Sequence, residues 1–224
     1  MFLYYKGRRK KGEDFMKKYL SLVMIVMCTG FACALSLKAA VGVGAWDAFA
    51  QALSSIINIK VGTMGMILNC SCVVGQLLIL KKKFRPIQFL QVLVSIILGS
   101  VVNFMLYDIL VFEINAYYIR LILILLAYVL CALFVGAIMV LDLVTFPLEG
   151  LCMALETILP FKFSQIRQAI DVICIVIGIV LSLLFNVPLA VREGTIIGMI
   201  IFAPLMGKFM EIEKPLFQKW GLIK

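Results

Sequence analysis

Four charged residues interrupt otherwise apolar sequence, and their types and spacing are the ones able to do chemistry. Asp47 and Glu149 each stand at the start of a short helical stretch, while Arg167 and Asp171 lie four apart in a longer one. Side chains four apart share a helix face, so Arg167 and Asp171 can pair. Asp171 falls well inside its apolar run, where a charge must be paired or must line water. Arg167 is the partner the spacing offers. The pair either neutralises itself or takes part in anion binding or gating. An acid at a helix start, such as Asp47, offsets the positive end of the helix dipole and can cap free N–H groups. The sharper reading of Asp47 is a cation or proton site. Glu149 follows Pro147, a residue suited to the first helical turn, and carries the same two readings. Trp46 reads either as an anchor at the membrane interface or as a ring on which a substrate stacks. Asn69, inside another apolar run, can donate and accept hydrogen bonds between helices. The candidate substrate- or ion-binding set is therefore Trp46, Asp47, Asn69, Glu149, Arg167 and Asp171.

The elements that must position these residues follow from composition. Of 224 residues, 64% are hydrophobic and 15% charged. A soluble domain has about half and about a quarter, respectively. One core cannot hide so much apolar surface, so the chain reads as an all-α polytopic membrane protein. Six apolar runs are long enough to span as helices: 19–40, 61–80, 87–110, 118–141, 166–185 and 191–210. Runs of this length exclude a membrane β-barrel. The first is too long for the apolar core of a signal peptide and is expected to remain as a helix. Seventeen Lys and Arg residues precede span 1, follow span 2, flank the entry to span 5 or close the chain, against four (Lys38, Lys60, Arg120 and Arg192) on the other side. That asymmetry predicts a multi-pass protein of the bacterial cell membrane with both termini cytoplasmic. The net charge of +9 then serves orientation and attraction to anionic lipid. No basic module interleaved with exposed aromatics points to nucleic acid.

Two stretches, 46–57 and 148–159, are helical in pattern but too short to span. They align at an offset of 102, which sets Asp47 on Glu149, Lys60 on Lys162 and Asn69 on Asp171. The order long helix, turn with an acid, half-helix, Lys, long helix, long helix occurs twice. Three spans per unit turn the second unit over, so the pattern predicts two inverted three-helix repeats, each with a half-helix after its first span. The expected organisation is a basic tail over 1–18, repeats over 19–111 and 112–210, and a C-terminal tail over 211–224.

The run Gly42-Val43-Gly44-Ala45-Trp46-Asp47, followed by Val61-Gly62-Thr63, resembles the YczE/YitT-like family of bacterial integral membrane proteins. That family shows a G-x-x-P-W-D-like turn and a Gly-Thr pair opening the next span. Its later half carries an Arg with an acid four residues on, and a Gly-Thr in the last helix. Here these match Arg167, Asp171, Gly194 and Thr195. The resemblance runs over residues 19–210. Ala45 stands where the family commonly has Pro, which bears on how rigidly this turn is held. The resemblance implies membrane location and topology, in an uncharacterised transporter-like group.

Histidine is absent, which removes His-based triads, His-ligated zinc and the usual general base. The seven cysteines form no C-x-x-C and read as small packing residues, with no disulfide, metal or cofactor expected. No phosphate-binding Gly-rich loop ending in Gly-Lys-Ser/Thr occurs, so coupling to ATP is not expected within this chain. The leading reading is a secondary transporter of a small solute or ion, working by alternating access. The alternative is a non-transporting scaffold or regulator that docks cytoplasmic machinery through its basic tail and the 81–85 loop. An intramembrane enzyme lacks a well-placed catalytic pair. Expected partners are membrane lipid, a small-molecule or ion substrate and, compatible with either reading, a second copy or a partner protein.

Overall fold

The computed structural model describes residues 2–223, with side chains from residue 16 to 223. Among the described residues there is no strand. Eight α-helices follow in order: α1 (Phe2–Ala39), α2 (Ala45–Ile57), α3 (Val61–Leu80), α4 (Leu90–Phe104), α5 (Tyr117–Leu141), α6 (Pro147–Glu156), α7 (Phe163–Leu184) and α8 (Glu193–Lys219). A 3-10 turn at Pro86–Phe89 leads into α4, and a π-turn at Met105–Ile109 extends it. Six segments are long and apolar enough to cross a membrane: Met16–Ala39, Val61–Lys83, Pro86–Ile109, Tyr117–Leu141, Phe163–Leu184 and Glu193–Lys219. At about 1.5 Å per residue, neither α2 nor α6 can.

Some helix ends differ from the sequence expectation, for local reasons. Helix α7 starts three residues earlier than 166, because the Gln165 side chain accepts the Lys162 N–H (3.0 Å) and caps the start. Helix α6 stops at Glu156. The Thr157 hydroxyl donates to the Ala154 carbonyl (2.7 Å), satisfying a group the helix would leave free. Helix α8 continues nine residues past 210 despite Pro215, since Phe217 folds back into an apolar cluster with Leu22, Val26, Ile138 and Leu141. Packing there outweighs the hydrogen bond that the proline removes.

The helices form two walls. In one, α1 packs on α5 and α4, and α5 packs on α8. In the other, the half-helices α2 and α6 both lie between α3 and α7 and bridge them. Helices α3 and α4 join the walls along one seam, where glycines let the backbones touch. A Cβ built on Gly62 would lie 2.3 Å from the Gly99 carbonyl oxygen, and one on Gly99 2.5 Å from that of Gly62. The corresponding seam between α7 and α8 has no such packed interface among the described residues. Two walls closed on one edge and loose on the other leave a space between them.

Candidate functional site

That space is a cavity of about 280 Å³, with lining residues from all eight helices. Its position follows from how each half-helix is seated. Chain reversal after α1 uses Ala40 (φ +52°) and Gly42 (φ +109°). At Gly42 a side chain would be strained by φ and would strike Thr195, whose backbone nitrogen is 2.8 Å from the built Cβ. The turn is pinned to the start of α8, where the Gly194 N–H donates to the Val41 carbonyl (2.8 Å) and the Arg192 guanidinium to the Ala40 carbonyl (2.8 Å). The Tyr128 hydroxyl of α5 donates to the Gly194 carbonyl (2.8 Å). The motif glycines and Gly194-Thr195 thus form one joint that aims the start of α2 inward.

Helix α6 is held by a pair of buried amides. Gln76 of α3 donates to Gln91 of α4 (2.8 Å) and to the Pro147 carbonyl (3.0 Å), and Gln91 donates back (3.2 Å). Gly150 leaves the room this needs, since a Cβ there would sit 2.7 Å from the Gln76 amide nitrogen. We expect Gln76→Leu to lower the thermal unfolding midpoint of the purified protein, by a loss of about 1–3 kcal/mol for unpaired buried polar groups. Replacing Gln91 by Leu as well should recover part of the loss. An unchanged midpoint in the single variant would contradict this role.

All six residues singled out from the sequence line this one cavity. The Trp46 indole N–H donates to the Asn69 amide oxygen (3.3 Å), which joins α2 to α3. Arg167 pairs with Asp171 on its own helix and, at 3.5 Å, with Glu149 of α6. The contact with Glu149 was not foreseen. It leaves the guanidinium engaged by two carboxylates, whose side chains are 25% and 24% exposed. The Asp47 side chain has no hydrogen bond or ion pair with any described residue, so it is not a hydrogen-bonding cap. Burial pushes its carboxyl up to about 6, while Arg167 across the cavity pulls the other way. Asp47 keeps partial exposure although it lies deep between helices, and what it is exposed to is the cavity.

A family of unknown function, DUF6198, has a model that matches residues 16–211. The chain belongs to that family. The match takes in both half-helices and every cavity residue discussed above. No curated protein and no solved structure matches the chain.

The family region also contains cavity residues that were not read as such from the sequence. Cys33 of α1 and Cys131 of α5 face each other with sulfurs 4.0 Å apart, and both line the cavity as free thiols. Composition made them look like packing residues, and nothing in their spacing, 98 apart, marked them as partners. Tyr128, Thr29 and Ser95 add hydroxyls to the same wall. Outside the cavity lining, Gln76 and Gln91 had a usable signal: each is an amide inside an apolar run, where it must find a partner.

Proposed function

We propose that this chain is a secondary transporter of a small solute, working by alternating access around the cavity, and that it is built from two inverted repeats. The observation that carries this reading is the cavity between two walls, into which both half-helices turn their N-terminal ends. Matching backbone at the repeat offset of 102 supports the repeat. Ala40 and Asp142 have φ of +52° and +48°, and the residues before α2 and α6, Gly44 and Phe146, have φ, ψ of −54°, 154° and −63°, 151°. Packing also exchanges between halves: α2 on α7 as α6 on α3, and α1 on α4 as α5 on α8. The resemblance to YczE/YitT-like proteins agrees with a transporter-like role. Six spans with the basic asymmetry favour both termini on the cytoplasmic side of a bacterial cell membrane. On this reading the chain performs no chemistry on its solute and needs no cofactor.

The exposed lysines of Lys81–Lys83 keep the scaffold reading as the competitor. A single thiol separates the two. In a variant that keeps Cys33 and has Ala at the other six cysteines, a membrane-impermeant thiol reagent is added to one face or the other of oriented vesicles. Alternating access predicts labelling from both faces. Labelling from one face only, or from neither, would remove the transport reading and leave the scaffold.

A further inference from the structure

The cavity carries information about what it would hold. Three carboxylates (Asp47, Glu149 and Asp171) line it against one guanidinium, a formal charge of −2. Arg167 is already shared by two of those acids, so no free positive group awaits an anion. Asp47 is the acid outside these ion pairs, with Arg167 acting on it only from across the cavity. The rest of the lining is mostly apolar and includes the rings of Trp46, Phe146 and Phe202. A desolvated cation is attracted to aromatic faces as well as to a carboxylate. Independently, Asn69 is only 8% exposed and lines the cavity, yet its amide NH₂ has no partner among the described residues. Because the Trp46 N–H needs the Asn69 oxygen, the free end is the donor. That donor opens on the cavity, where it can donate to an acceptor placed there. Met199 of α8, 48% exposed, is the one exposed lining residue, so the cavity meets the surface at the loose edge between α7 and α8. Exposed Ile173, Val176, Ile177 and Ile200 on these two helices make that surface apolar.

We propose that the cavity binds an organic monocation with an apolar body and a hydrogen-bond acceptor, with Asp47 as its counter-ion and Asn69 as donor to the acceptor. This names the substrate class for the transport reading above and depends on it only for movement across the membrane.

The test is calorimetric titration of the purified full-length protein with three probes of similar shape. Benzoylcholine has the cation, the ester acceptor and the ring. Its carbon isostere 3,3-dimethylbutyl benzoate lacks only the charge, and hippurate carries the opposite charge. Saturable binding of benzoylcholine is expected, with each of the other two weaker by about tenfold or more, equivalent to about 1.4 kcal/mol. Asp47→Asn should weaken benzoylcholine by a similar factor, while Asp47→Glu should keep most of the affinity. The groups sharing the cavity with Asp47 are Cys33 on α1, Tyr128 and Cys131 on α5, Glu149 on α6, and Arg167 and Asp171 on α7; α3, α4 and α8 contribute none that titrate. Burial pushes the Asp47 carboxyl up to about 6, so lowering the pH from about 7 to about 5 should weaken binding by about tenfold. Asp47→Asn should flatten that profile.

No saturable benzoylcholine binding at millimolar concentration, equal binding of the neutral ester, or a pH profile unchanged in Asp47→Asn would each overturn the proposal. One-sided labelling of Cys33 would overturn transport and leave cation binding standing. The converse pair of results would leave a transporter for another class of solute.

Discussion

Valine at Gly62 or at Gly99 is expected to abolish recovery of folded protein. Among the described residues these glycines hold the one extensively packed edge between the two walls, and the clash is between backbones rather than flexible side-chain tips. The built Cβ of Gly62 is also 2.6 Å from the Asn103 amide oxygen, which accepts the Gly62 N–H (2.9 Å). Asn103 in turn donates to the Thr63 hydroxyl (2.9 Å). Separating the helices therefore breaks this network as well as the van der Waals contact. Overpacking alone costs about 1–3 kcal/mol, and each buried polar group left unpaired adds about the same. Those sums approach the whole stability of a typical domain, about 5–15 kcal/mol. Alanine at either position should lower yield and melting temperature to a lesser degree. Gly65→Ala and Gly207→Ala are the matched controls, since a Cβ at either meets nothing within 4 Å. Both should express normally, and Gly207→Ala should gain up to about 1 kcal/mol from helix propensity. Fluorescence-detected size exclusion of tagged variants is sufficient. A monodisperse Gly62→Val peak of normal height would show that the α3–α4 seam does not hold the walls together.

Much of this architecture was legible before any coordinates, for a physical reason. A helix that crosses lipid must satisfy its own backbone and be apolar along about 20 residues, and both conditions leave marks in one dimension. The span 61–80 has the same ends in sequence and structure, since Lys60 and Lys81 bound it on both sides. The half-helices were legible because they break that rule twice at the same interval. What the sequence does not carry is direction around a helix. Arg167 and Asp171 could be paired from their spacing, but Glu149 joins them only because α6 packs beside α7, a contact between elements of unrelated periodicity. Cys33 and Cys131 face one another for a similar reason: α1 and α5 pack against each other. The far end of α8 was misplaced because its last turns are polar. A hydropathy pattern ends where lipid ends, whereas the helix continues for as long as Phe217 has a cluster to fill.

If the chain is built from two inverted repeats as proposed, the loose α7–α8 edge and the tight α3–α4 edge occupy corresponding places in the two halves. Were the halves to exchange conformations, the edge now packed would open and the edge now open would pack. Gly194 and Gly198 of α8 are already committed, to the turn at Val41 and Gly42 and to the Tyr128 ring, respectively. The part of α8 free to meet α7 therefore lies on another face, where Ile196 and Ile200 are exposed. Such an exchange would move the cavity mouth from one edge of the protein to the other.

The second large effect is expected at Arg167, and it separates the residues that hold the cavity together from the one that would hold the solute. Arg167→Met leaves Glu149 and Asp171 in place with no cation between them, on two elements packed side by side. Removing one partner of a fully buried ion pair typically costs about 3–5 kcal/mol, because the remaining charge has lost its compensation, and the partial exposure of these side chains sets the loss toward the lower end. Here two like charges are left facing each other, so the single variant should be largely unfolded or aggregated. Neutralising the cluster as a whole should reverse this. In the triple variant Arg167→Met, Glu149→Gln, Asp171→Asn no charge of this cluster is left without its partner, and replacing an ionic cluster by neutral groups is often close to neutral for stability. We expect it to elute as folded protein with a melting temperature near that of the wild type. The triple variant still carries Asp47, whose carboxylate makes no ion pair in the native cavity. It should therefore still bind benzoylcholine and still lose it in Asp47→Asn. If the triple variant folds but no longer binds the cation, recognition belongs to the Glu149–Arg167–Asp171 cluster instead. If Arg167→Met alone folds as well as the wild type, the ion pairs contribute nothing to the seating of α6 against α7, and the assignment of Arg167 as the clamp between them is wrong.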